Sequence, residues 1–120
     1  MQSVLAVDDS ASIRNMIAFV LEKAGYDVVV AEDGQEALEY ARQHTVDVVL
    51  TDINMPNLDG IDLIKELRAL PNYKFVPMLV LTTESATDKK MEGKAAGATG
   101  WIVKPFDPAQ LVSTIQKVLT

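Results

Sequence analysis

The sequence predicts a doubly wound α/β domain, with one five-stranded parallel sheet in the order 2-1-3-4-5 and helices on both faces. Three observations predict it. Short, nearly continuous apolar runs rich in β-branched residues recur along the chain, as strands buried on both faces require. Segments of helical period separate them. The two kinds of element alternate, which implies parallel strands joined by right-handed crossovers. Five strands in such a sheet favour the order 2-1-3-4-5. A length of 120 residues leaves room for one domain, so residues 1–120 are expected to form that domain with no output domain.

The elements follow in order. The apolar runs Val4–Val7, Val28–Ala31, Val46–Leu50, Val76–Leu81 and Trp101–Val103 read as the strands. Ile13, Met16, Ile17, Val20 and Leu21 recur at helical spacing, and Gly25 stands where a helix C-terminus belongs. Asp33-x-x-Glu36 resembles a capping box and opens a second helix carrying Ala37, Leu38 and Ala41. Asp59-x-x-Asp62 opens a third, with Ile61, Ile64 and Leu67 on one face. Leu70-Pro71-Asn72 marks a turn that Tyr73 and Phe75 are expected to anchor. A fourth helix is expected over Ser85–Ala96, although Gly93 inside it costs about 1 kcal/mol relative to Ala. The last helix starts with Asp107 as N-cap, Pro108 in the first turn and Gln110 closing the box. Phe106 and Leu111 form its hydrophobic staple.

Composition excludes several classes of function. Hydrophobic residues make up 48% and charged residues 23%, which is globular rather than disordered. The net charge of −6 argues against nucleic acid and anionic membranes as partners. No apolar run approaches the roughly 18 residues of a membrane span. There is no Cys, hence no disulfide and no thiolate chemistry. A cytoplasmic location is the expectation.

The informative residues stand at the strand ends. Asp8 and Asp9 follow the first strand, Asp52 the third, Thr82 the fourth and Lys104 the fifth. In a parallel sheet all of them share one rim, and ligands bind there at the switch point between strands 1 and 3. Three carboxylates left alone would repel one another. A hard divalent cation resolves that, and ligands limited to oxygen point to Mg²⁺ or Mn²⁺. A cation, a lysine and a hydroxyl together suit a phosphoryl group. Asp52, on a central strand, is the expected nucleophile, forming an acyl phosphate.

Four segments carry a resemblance over the whole chain: Val7-Asp8-Asp9-Ser10, Thr51-Asp52-Ile53-Asn54-Met55-Pro56-Asn57-Leu58-Asp59-Gly60, Leu81-Thr82-Thr83-Glu84 and Val103-Lys104-Pro105-Phe106. In that combination the chain resembles response-regulator receiver domains, whose fold is flavodoxin-like. With Arg14 after Asp-Asp-Ser and Asn54 two residues after Asp52, it is most similar to the stand-alone chemotaxis regulators. The strand order is also implied by this resemblance, so the two are not independent. The resemblance implies that Asp52 accepts a phosphoryl group from a phosphohistidine on a histidine kinase, here a chemotaxis kinase. It implies that Asp9, Asp52 and the backbone carbonyl of Asn54 hold Mg²⁺ directly and that Asp8 acts through water. Lys104 would pair with Asp52 and then with the phosphoryl group, and Thr82 would hydrogen-bond the phosphoryl oxygen. Trp101 would be the aromatic switch residue, swinging inward when Thr82 moves. The output face would be helix 4, strand 5 and helix 5, and the target a flagellar motor switch protein or another protein. A phosphatase is a further possible partner.

Competing readings fail on particular positions. A calcium loop starting at Asp52 would put Asn57 where Gly belongs and Leu63 where Glu belongs. A flavin- or nucleotide-binding domain needs a phosphate cradle after strand 1, but Asp8-Asp9-Ser10-Ala11-Ser12 has no Gly and two carboxylates. An aspartyl-nucleophile phosphatase or phosphotransferase wants a second Asp two residues on, where this chain has Asn54. The expectation is therefore a switch that catalyses only its own phosphorylation and dephosphorylation. A phosphorelay intermediate and a phosphate sink are the alternatives within that class.

Overall fold

Strands form along the apolar runs, and their ends bring the acidic residues to one edge. A computed structural model describes residues 2–53, 55, 57–82, 94–104 and 106–119. The strands are β1 (Ser3–Val7), β2 (Asp27–Ala31), β3 (Val48–Asp52), β4 (Met78–Thr82) and β5 (Gly100–Val103). The helices are α1 (Ala11–Lys23), α2 (Gly34–Gln43), α3 (Gly60–Arg68), a helical stretch α4 over 94–96, and α5 (Pro108–Leu119). A short 3₁₀ turn covers Pro71–Tyr73. All pairings are parallel and the order is β2-β1-β3-β4-β5, as the alternation predicts. Most of the helix expected over Ser85–Ala96 lies outside the described residues.

Alternate residues of each strand face opposite layers. Leu5 and Val7 of β1 pack under α2 and α3, while Val4 and Ala6 pack under α1 and α5. Both layers are closed, which is why β1 carries no polar side chain between Val4 and Val7. Each fully buried Leu or Ile contributes about 1.5–3 kcal/mol.

The predicted caps form. Ala24 ends α1, and Gly25 follows at φ +100°, a conformation glycine adopts without a Cβ penalty. The Tyr26 N–H then reaches the Leu21 carbonyl at 3.0 Å. Asp33, Asp59 and Asp107 each accept a backbone N–H three residues on, at 2.9, 2.8 and 2.6 Å. Phe106 and Leu111 share the α1–α5 core layer.

Three expectations are corrected. β3 and β4 each start two residues after their apolar runs begin. The Val46 N–H donates to the Tyr73 hydroxyl at 3.3 Å, and the Val76 carbonyl accepts from Arg68 at 2.8 Å, so these backbones bond outside the sheet. Of the two aromatics expected to anchor the turn, Tyr73 is fully buried but Phe75 is 89% exposed. Tyr73 does anchor it, and in place of Phe75 the second anchor is Arg68, the last residue of α3. Its guanidinium donates to the carbonyls of Tyr73, Lys74, Val76 and Gly97, at 2.7, 3.1, 2.8 and 2.8 Å.

Candidate active site

β1 delivers Asp8 and Asp9. The Asp8 N–H extends the β1–β2 pairing by one bond to Ala31, at 3.2 Å. The chain then turns into α1, which Ser10 caps by accepting the Ile13 N–H at 3.4 Å. Asp8 is buried, and its two carboxylate oxygens are divided between two donors. Oδ1 accepts the Ser10 N–H at 2.9 Å, and Oδ2 accepts from Lys104 Nζ at 2.9 Å. Arg14, one turn into α1, donates to the Asp8 carbonyl at 2.7 Å and fixes the turn. Asp9 is exposed beside it.

β3 delivers Asp52 opposite Leu81 of β4. Its Oδ1 accepts the Ile53 N–H at 2.8 Å, and its Oδ2 lies 3.3 Å from Lys104 Nζ. The start of α3 presses against this strand end: the Gly60 N–H donates to the Ile53 carbonyl at 2.8 Å. A Cβ on Gly60 would overlap the Asp52 carbonyl oxygen, so only glycine fits this approach. Lys104 follows β5, and its own N–H donates to the Thr82 carbonyl at 2.7 Å. Thr82 is buried at the end of β4, one residue beyond the partner of Asp52.

One carboxylate oxygen from each of Asp8, Asp9 and Asp52 lies within 4.8 Å of the others. Lys104 bridges the two inner ones, but one ammonium leaves the three carboxylates in excess. The donors are all hard oxygens, which suits a small hard cation such as Mg²⁺. Asp8 is already engaged at both oxygens, whereas the exposed Asp9 is open to solvent.

Burial raises the Asp52 pKa above the ordinary carboxylate range; Lys104 pulls it back and the Asp8 charge pushes it up again. Burial alone would lower the Lys104 pKa, but the hydrogen bond it donates to Asp8 and the charges of Asp52 and Asp8 outweigh it and raise it. Lys104 therefore stays an ammonium at neutral pH. For Asp52 the sign is unfavourable to the ionised folded state. A carboxyl raised on folding stabilises only below its unfolded pKa, and that contribution is lost as pH rises through the folded value. We expect Asp52→Asn, in EDTA at pH 7, to be more stable than wild type in urea melts. The gap should narrow as the pH falls and Asp52 becomes protonated. A less stable variant at pH 7 would show that the Lys104 pair outweighs burial.

The structure thus brings together four predicted residues, Asp8, Asp9, Asp52 and Lys104, with Thr82 on the adjoining strand end. Asn54 lies outside the described residues. Trp101 stands on β5 opposite Val80, half-buried against the α2–α3 core layer. Its indole Nε1 is buried and has no hydrogen-bond partner among the described residues. Sequence reasoning missed the bond from Lys104 to Asp8, the Arg14 contact and the Gly60 approach. Only the last had a signal, the Asp59-Gly60 pair at a helix start.

An acidic pocket at the switch point of a five-stranded flavodoxin-like sheet is the arrangement of CheY-like receiver domains. The chain belongs to the response regulator receiver domain family, which it matches over residues 4–116. The transcriptional regulatory protein PrrA of Mycobacterium tuberculosis is 40% identical over 116 residues, covering 97% of this chain and 49% of PrrA. The chain spans about half the length of the curated relatives it matches. Among solved structures, the chemotaxis protein CheY4 of Vibrio cholerae is 53% identical, with a TM-score of 0.97 and 99% of each chain covered. The receiver domain of the sensor histidine kinase PA1611 from Pseudomonas aeruginosa was solved with a magnesium ion coordinated in its active-site cleft. It is 30% identical, with a TM-score of 0.92, covering 98% of this chain and 97% of its own. Receiver domains bind Mg²⁺ at an acidic pocket, and the aspartate cluster here fits that ion. Among the described residues no helix is long and apolar enough to cross a membrane.

Proposed function

We propose that the chain is a phosphorylation-activated two-component switch whose phosphoacceptor is Asp52. The observation that carries this reading is Lys104 Nζ placed 2.9 Å from Asp8 and 3.3 Å from Asp52, beside an aspartate cluster. An Asp52 carboxylate oxygen attacks the phosphorus of a phosphohistidine on a histidine kinase. The P–N bond breaks, the acyl O–P bond forms, and the imidazole leaves with a proton. Lys104 keeps its charge and turns from the Asp52 oxygen to the phosphoryl oxygens. Mg²⁺, when bound, neutralises carboxylate and phosphoryl charge. Asp9 and Asp52 would hold it, with the Asn54 carbonyl that the resemblance assigns, and Asp8 would act through water. Thr82 donates its hydroxyl to the new phosphoryl group, and Trp101 moves into the space it leaves. The response is read on the face built from α4, β5 and α5. The chain catalyses only its own phosphorylation and dephosphorylation.

The output we propose is chemotaxis, with a flagellar motor switch protein as target, in the cytoplasm. The 53% identity to the chemotaxis protein CheY4 over 99% of both chains supports it. PrrA, a transcriptional regulator, shares the receiver portion at 40% identity. The test is a pull-down with motor switch protein and with a phosphotransfer domain as baits, with and without acetyl phosphate. Retention on the motor protein that rises with phosphodonor supports the proposal. Retention on the phosphotransfer domain alone would favour a relay intermediate, and retention on neither a phosphate sink.

A further inference from the structure

The loop from β3 to α3 leaves the acidic pocket at Asp52 and is fastened on its far side to the N-terminus of α2. Asp33, the N-cap of α2, divides its carboxylate between two donors. Oδ1 accepts the Glu36 N–H at 2.9 Å, and Oδ2 accepts from Asn57 Nδ2 at 2.8 Å. Asn57 holds φ at 71°, the left-handed region that Asn tolerates better than most residues. Beside it, Gly34 opens α2 so close to the loop that a Cβ there would overlap the Leu58 carbonyl oxygen and stand 2.9 Å from the Leu58 Cβ. On the near side the Gly60 N–H holds the Ile53 carbonyl at 2.8 Å, and the Ile53 N–H holds Asp52 Oδ1 at 2.8 Å. Bonded contacts therefore bracket the loop from the α2 cap to the Asp52 carboxylate. The Glu36 N–H, and next the Asn57 amide, hold the Asp33 carboxyl below its ordinary pKa, so it is a charged acceptor at neutral pH.

We propose that Asp33 and Asn57 are positioning residues for the metal pocket: their hydrogen bond sets the loop that follows Asp52 and so tunes cation affinity, although neither touches the ion. The proposal rests on the magnesium reading above. An anchored loop presents Asp52 in one orientation, and a released loop spends part of its time in others, which lowers the fraction competent to bind.

The test is a magnesium titration of the full chain, followed by calorimetry and by the emission of Trp101, the single tryptophan. Asn57→Gly removes the bond and leaves the left-handed backbone accessible. Asp33→Ser keeps a capping oxygen for Glu36 but is too short to reach Asn57. Asp33→Asn combined with Asn57→Asp rebuilds the bond with donor and acceptor exchanged and net charge unchanged. Each of the first two variants should bind Mg²⁺ roughly tenfold more weakly than wild type. Their combination should be no weaker than either alone, because both break one link. The exchanged pair should return to within about twofold of wild type. Wild-type affinity in the first two variants, or no recovery in the exchanged pair, overturns the positioning role and leaves the magnesium reading standing. A wild-type chain with no saturable Mg²⁺ response overturns the magnesium reading and this proposal with it.

Discussion

Acetyl phosphate with Mg²⁺ is expected to add one phosphoryl group to the wild-type chain and none to Asp52→Asn, as read by intact-mass spectrometry. The geometry favours Asp52 among the three aspartates. Asp8, like Asp52, has one oxygen on a backbone N–H and the other beside Lys104, but it is only 1% exposed and offers no open approach to an incoming phosphorus. Asp9 is exposed, and Lys104 contacts the other two aspartates. Asp52 is half-buried, oriented through Oδ1 by the Ile53 N–H, and keeps Oδ2 beside the Lys104 ammonium. An amide at this position has no nucleophilic oxygen lone pair of comparable strength. A stable phosphoryl gain in Asp52→Asn would move the acceptor to another residue. Trp101 emission recorded during the same reaction tests the proposed inward movement. An unchanged spectrum alongside complete phosphorylation would remove Trp101 from the switch.

Gly60→Ala is expected to destabilise the chain by about 3 kcal/mol, which is large for adding one methyl group. The three nearest neighbours of the added Cβ are backbone: the Asp52 carbonyl oxygen, its carbon at 2.9 Å and the Ile53 Cα at 3.0 Å. No rotamer change relieves such contacts. Either α3 lifts away from β3, breaking the Gly60–Ile53 hydrogen bond, or the end of β3 shifts and carries Asp52 off Lys104. Urea melts measure the stability loss. A magnesium titration under folding conditions should show weaker binding in either case, because both disturb the Asp52 end of the loop. A variant within about 1 kcal/mol of wild type would show that the approach is looser than described.

Much of this architecture is legible in the residues, for identifiable reasons. Strands covered on both faces need unbroken apolarity, so Val4–Val7 and Val48–Leu50 announce themselves. Parallel pairing then forces Asp8, Asp9, Asp52 and Lys104 onto one rim without any knowledge of side-chain positions. Strand starts were less legible. Val46 is buried but bonds to Tyr73 rather than to a strand, and periodicity reports burial, not pairing. The reach of Lys104 to Asp8, closer than to Asp52, depends on strand stagger, which no sequence period encodes. The Asp33–Asn57 bond joins two loops 24 residues apart, and loop contacts of that kind leave no pattern.

The guanidinium of Arg68 grips four acceptors, all of them peptide carbonyls. A clasp of this kind has no acidic counterpart to protonate, so lowering the pH removes nothing from it. Sequence drift at Tyr73, Lys74 or Val76 leaves its acceptors intact as well, because a carbonyl is there whatever side chain the residue bears. Its mutational vulnerability lies in the arginine itself and in Gly97, where φ is +110° and a Cβ would stand 2.9 Å from the Arg68 Nε.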